Sequence, residues 1–299
     1  MDVTAAHPGL TRSRFCWQLR SRTLALGERT LLMGIVNVTP DSFSAAHRFP
    51  AAHQAVEQAL RLLDEGADIV DLGGESTRPG ATPLCAEDES TRVLPVIRGV
   101  LSARPDAVLS VDTYHAATAQ AALALGAEIV NDVSGLLWDA EMAPTLAQHP
   151  GGAILMHTRG KPGEWKSLPP LPHRDVVPLV LNGFRHSLAL AAKAGVETSR
   201  IVLDPGFGFG KLGDENFVLL AHWRELQQMN LPLLAGISRK RFLTAHLITP
   251  TDEDRREATI AANVAAILGG AHLLRVHEVR AGYTAARVAD AILDAAQSP

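Results

Sequence analysis

Cysteine is scarce. Only Cys16 and Cys85 occur, far apart and without a CxxC partner, so nothing supports a disulfide scaffold, and free thiols in a reducing compartment are expected. No apolar run is long enough to cross a bilayer. The N-terminus lacks the cationic start, apolar stretch and small-residue cleavage site of a secreted chain. A cytoplasmic protein without membrane contact is therefore expected, and the sequon Asn37-Val38-Thr39 means nothing in that setting. The formal charge of −4 comes with no basic stretch, which argues against nucleic acid as a partner but leaves a local basic pocket open. There is no HExxH, no cysteine cluster and no GxSxG elbow, so zinc hydrolysis and serine acyl transfer have no support. Low-complexity tracts are also lacking, and hydrophobic residues fill 46% of the 299 positions, enough for one large core.

What the chain does contain is a repeated order, in which short apolar runs end in polar residues. Residues 31–36 end in Asn37, 69–70 run into Asp71, 108–111 end in Asp112, and 129–130 end in Asn131-Asp132. Residues 154–156 end in His157, 201–203 in Asp204, and 233–237 in Ser238-Arg239-Lys240, while 273–276 bracket Arg275 and His277. Continuous apolar runs flanked by helical patterns read as parallel strands buried on both faces. About eight of them, closed on themselves, make a single (β/α)8 TIM barrel, whose strand ends share one rim where active sites are built.

Helical patterns fall between the strands at 52–65, 88–102, 116–125, 176–194, 216–228, 256–268 and 281–296, with a shorter candidate at 139–148. A helix–Gly–Ala–strand phrase recurs at Gly66, Gly126 and Gly270, consistent with repeated βα units. Residues 1–14 read as a loose polar tail, and 17–33 as an N-terminal β-hairpin leading into the first buried strand. The domain expected is therefore 15–299, with no internal linker. Long connections at 38–51, 73–87 and 157–173 follow strand ends, where such loops are functional.

Asp112, Asn131 and Asp204 end the third, fourth and sixth strands. Each alone would serve as a helix cap. Together they offer carboxylates and an amide to a flat heterocycle with an amidine-like edge. Ser238-Arg239-Lys240 and Arg275 with His277 lie where these barrels bind phosphate, and alternation puts Arg275 and His277 on one side. The glycines of Gly206-Phe207-Gly208-Phe209-Gly210-Lys211 fit neither a dinucleotide fingerprint nor a Walker loop. They suit close backbone approach to a flat ligand, with Phe207 or Phe209 stacked on it.

Over roughly 31–296, the chain resembles the dihydropteroate synthase family of pterin-binding barrels. The motifs that carry the resemblance run from Gly34 to Ser44, from Asp71 to Gly80, from Ser110 to Thr113, from Asn131 to Gly135, from Asp204 to Lys211, from Gly236 to Lys240 and from Arg275 to Val279. The resemblance implies a transferase of a pterinylmethyl group. It joins (7,8-dihydropterin-6-yl)methyl diphosphate to 4-aminobenzoate with loss of pyrophosphate. It further implies that Asp112, Asn131, Asp204 and Lys240 hold the pterin between Met156 and Phe209, with Asp112, Lys240 and Asp204 carrying catalysis. Asn37 would bind Mg²⁺, and Asn37, Arg275 and His277 the diphosphate. Ser42, Phe43, Thr77, Arg78 and Pro79 would belong to closing loops that enclose the aminobenzoate near Ser238. A homodimer through the last helices is the family habit. Ala45-Ala46-His47, Thr158 and Arg241 depart from the family pattern and bear on loop closure and pocket shape. The related methyltetrahydrofolate domain of corrinoid methyltransferases would need no diphosphate site. A non-catalytic paralogue would show damage at Asn37, Arg275 or His277, and none is seen.

Overall fold

The computed structural model describes residues 10–38, 48–75 and 83–297. The chain begins with an antiparallel hairpin, β1 (Phe15–Gln18) and β2 (Thr23–Leu26). Eight parallel strands follow: β3 (Leu31–Asn37), β4 (Ile69–Gly73), β5 (Leu109–Asp112), β6 (Ile129–Asp132), β7 (Gly152–Met156), β8 (Ile201–Asp204), β9 (Leu234–Ala235) and β10 (Leu273–Val276). Their order is β8-β7-β6-β5-β4-β3-β10-β9. A single parallel bridge, Leu203 with Leu233, joins the two ends of that series into a ring. The expected (β/α)8 barrel with an N-terminal hairpin is the fold observed.

The helices are α1 (Arg48–Asp64), α2 (Ala86–Ala103), α3 (Ala116–Leu125), α4 (Met142–Gln148), α5 (His173–Ala194), α6 (Glu215–Ala221), α7 (Asp252–Leu268) and α8 (Val279–Gln297). The pattern at 139–148 forms helix only from Met142, because Asp139 is used elsewhere: its carboxylate accepts from Ala116 N at 2.8 Å and caps α3. The 216–228 pattern divides into α6 and a tighter 3-10 turn, Trp223–Met229, which ends at Asn230 in the left-handed region.

Outward-facing strand residues such as Leu32, Val70, Val111, Val130 and Leu203 pack against the helices. The inward set is separate: Leu31, Met33, Ile69, Val108, Ile129, Ile154, Val202, Leu234 and Leu273 meet Trp17, Leu19 and Leu26 of the hairpin. The hairpin thus plugs the floor of the barrel. Trp17 is fully buried, and its indole N–H donates to Arg200 O at 2.8 Å. Gly152 makes room for it, since a Cβ there would lie 2.5 Å from Leu19 and 2.9 Å from Trp17.

The loose tail expected over 1–14 is corrected at its inner end. Arg12 is buried; it donates to Thr30 Oγ1 at 2.7 Å and pairs with Asp290 of α8 at 3.0 Å. A buried guanidinium needs such partners, and they fix this stretch beneath the barrel.

Candidate active site

Along five of the strands the inward-facing position changes from apolar to polar within one pleat. Ile69 is followed by Asp71, Val108 by Ser110 and Asp112, Ile129 by Asn131, Val202 by Asp204, and Leu273 by Arg275. Period-2 alternation sends all of these into the barrel, Asp71 and Ser110 one pleat beneath the level of Asp112 at the mouth. Asp112, Asn131, Met156, Asp204, Lys240, Phe209, Arg275, His277, Ser238 and Asn37 therefore share the rim that the sequence predicts. Ser42, Phe43, Thr77, Arg78 and Pro79 lie outside the described residues, as does Ala45-Ala46-His47.

Arg275 dominates one side. Its Nε donates to Asp71 Oδ2 at 2.6 Å and its Nη2 to Asp112 Oδ2 at 2.6 Å. Asn131 Nδ2 donates to the same Asp71 oxygen at 3.0 Å. Burial drives the Asp112 carboxyl up to about 7, against the pull of Arg275 and with added repulsion from Asp71. Burial likewise opposes the Arg275 charge, but Asp71 and Asp112 outweigh it and hold the guanidinium above its ordinary value. Asn37 Oδ1 and Asp112 Oδ2 flank Gly73, lying 3.8 and 3.6 Å from where a Cβ would stand there.

On the other side, burial raises the Asp204 carboxyl, although Gly206 N donates to it at 2.8 Å. Lys240 Nζ sits 4.0 Å above the centre of the Phe209 ring. Its ammonium falls to about 8 because burial disfavours the charge more than Asp204 supports it. Trp165 meets Phe209 edge-on at 5.2 Å. Of the two candidate stacking rings only Phe209 is at the mouth, since Phe207 is fully buried between Trp223 and Phe242. Met156 is the register partner of Asp204 and is buried beside it. Gly206, at φ +68°, is required where it stands, because a Cβ would lie 2.0 Å from His157 O.

Ser238 and His277 form a pair at the ends of β9 and β10, with Oγ and Nδ1 3.0 Å apart. Arg239 turns outward to an ion pair with Glu278. Thr158 donates to Gly160 O at 2.9 Å, and Arg241 is exposed.

Sequence reasoning passed over two residues. Asp71 closes an apolar run in the sequence but receives no role there, although alternation from the inward Ile69 points it into the barrel. Lys211 is buried and donates to the carbonyls of Gly206 at 2.8 Å and His157 at 3.2 Å. Desolvation lowers its ammonium to about 7. Its place at the end of a glycine run was the available signal.

The rim therefore gathers carboxylates, an amide, an aromatic ring and the cations Lys240 and Arg275, a set suited to a flat, donor-rich ring that carries an anion. The sequence profile of the family described as "Pterin binding enzyme" matches residues 33–277. The dihydropteroate synthase of Synechocystis sp. is 40% identical over 266 residues, 89% of this chain and 91% of that protein. The solved dihydropteroate synthase of Xanthomonas albilineans with 4-aminobenzoic acid gives a TM-score of 0.86 at 39% identity, over 96% of this chain and 100% of that one. The Yersinia pestis enzyme in a sulfonamide drug complex gives 0.85 at 36%, over 94% and 100%.

Proposed function

The chain belongs to the pterin-binding enzyme family, with dihydropteroate synthases as its relatives, and from that premise we propose that it joins (7,8-dihydropterin-6-yl)methyl diphosphate to 4-aminobenzoate, giving 7,8-dihydropteroate and pyrophosphate. The observation that carries this reading is the polar layer of Asp112, Asn131 and Asp204, set between an aromatic wall and Arg275.

The carboxylates accept from the N–H edge of the pterin, Asn131 both donates and accepts, and Met156 and Phe209 cover the two faces. Asn37, Arg275 and His277 take the diphosphate, and Ser238 lies beside the aminobenzoate. As the bond from methylene carbon to diphosphate oxygen breaks, its electron pair leaves with pyrophosphate. Positive charge develops on the methylene and spreads into the ring. Asp112 and Asp204, already fixed, stabilise it without reorganising. The aminobenzoate amine then attacks that carbon, and the acidic ammonium so formed passes its proton to water or the departing pyrophosphate, so no strong base is needed. Lys240 over Phe209 supplies positive charge beside the aminobenzoate.

Among the described residues, no group of three or more His, Cys, Asp or Glu could hold a metal. The neutral oxygen of Asn37, facing the Asp112 carboxylate across Gly73, suits Mg²⁺, an ion that keeps waters and draws its other ligands from phosphates. When bound, Mg²⁺ would neutralise the leaving pyrophosphate. The reading extends to a homodimer through α7 and α8, where Tyr283, Val288 and Ile292 are exposed, and to work in the cytoplasm. No described helix is long and apolar enough to cross a membrane.

The test is turnover. The purified protein with Mg²⁺ releases pyrophosphate only when both substrates are present, and a sulfonamide competes with aminobenzoate. Tight pterin binding without turnover would instead identify a non-catalytic paralogue.

A further inference from the structure

Asp71 lies on β4, one pleat beneath the mouth, and the reaction described above gives it no part. It is fully buried. A single oxygen, Oδ2, accepts both Arg275 Nε at 2.6 Å and Asn131 Nδ2 at 3.0 Å. One carboxylate thus touches a residue of the diphosphate end and a residue of the pterin end.

The chemistry at each contact constrains what the partner can do. A carboxylate paired with arginine can only accept, so Asn131 must present its NH2 to Asp71. Oδ1 and the second N–H are then what Asn131 can offer a ligand. The guanidinium is held by its Nε edge, while Nη2 reaches Asp112 at 2.6 Å. When a pterin occupies Asp112, the Nε bond is the contact that keeps Arg275 in place.

We propose that Asp71 is a positioning residue of the reaction, fixing the amide orientation of Asn131 and anchoring Arg275, so that recognition of the pterin head and capture of the diphosphate tail depend on one buried carboxylate. This rests on the function proposed above.

Calorimetry with the full chain tests it, using 6-hydroxymethyl-7,8-dihydropterin and its diphosphate as the two probes. A wild-type protein that binds neither probe would refute the functional reading itself. In folded Asp71→Asn, affinity for each probe falls about tenfold or more, kcat falls, and the preference for the diphosphate over the free pterin shrinks. A purely structural role would lower the thermal midpoint and leave the affinities of the folded protein unchanged, and that result overturns the proposal. In an Asn131→Ala background, Asp71→Asn weakens free-pterin binding less than it does alone, because no amide remains to be oriented. Additive losses would also overturn it. If Asp71→Asn does not fold, Asn131→Asp carries the test. It preserves the shape of Asn131 but opposes two carboxylates. It is expected to bind free pterin more weakly than Asn131→Ala, and tighter binding than the alanine variant would end the proposal.

Discussion

At the scale of single residues, Asp112 sits between two protonation states. Burial lifts its carboxyl to about 7, while the N–H edge of a pterin favours the ionised form. Binding therefore lowers that pKa and expels a proton where the free protein is still partly protonated. Calorimetry in buffers of different ionisation enthalpy should show proton release near pH 7 that declines as the free carboxyl ionises towards about pH 9. A release independent of pH over that range would contradict the assignment. The same shift acts on the ligand-free fold. The native carboxyl holds its proton up to about 7, whereas the unfolded chain releases it near about 3.9. Between those values the native state binds more protons, so Asp112 reduces stability as pH rises through the window.

Much of this site can be read in sequence because each of its short polar side chains closes an apolar run. Asp112, Asn131 and Asp204 sit where a strand stops. Asp71 also follows an apolar run, but Leu72 and Gly73 continue its strand behind it, so its role beneath the rim is not legible from the run alone. The choice between Phe207 and Phe209 depends on packing against Trp223 and Phe242, which no local pattern encodes. The same holds for Arg12, whose partner Asp290 lies 278 positions away.

At the scale of elements, the hairpin and the rim are separable. β1 and β2 fill the floor with Trp17, Leu19 and Leu26, and the polar layer begins one pleat above the strand residues they touch. Trp17→Ala should therefore lower unfolding free energy by about 3–5 kcal/mol, measured in denaturant. The kcat of the folded fraction should stay within about twofold of the parent, since no Trp17 contact reaches the mouth. A large kcat loss in folded protein would show that the floor and the rim are coupled. Strand positions are legible because runs buried on both faces are mainly apolar, with polar residues such as Ser110 and Arg275 only towards their carboxyl ends. Helix bounds were less so: α6 gives way to a 3-10 turn where Trp223 must tuck beside Phe207, a tertiary demand on a helical pattern.

At the scale of the whole molecule, the ring is unevenly stitched. β3 pairs with β4 over five residues, from Met33 to Asn37, whereas β9 has two residues and the ring closes on β8 through one bridge, which includes the bond from Leu203 N to Pro232 O at 2.9 Å. That sparse join lies between Asp204, which ends β8, and Lys240, which follows β9. Amides near it should exchange with solvent sooner than those of β3 and β4, and gain protection when a pterin spans the two side chains. Uniform exchange around the ring would refute this. If that protection appears, the barrel is a split collar with its gap beneath the rim, and the guest that bridges Asp204 and Lys240 is what draws it shut.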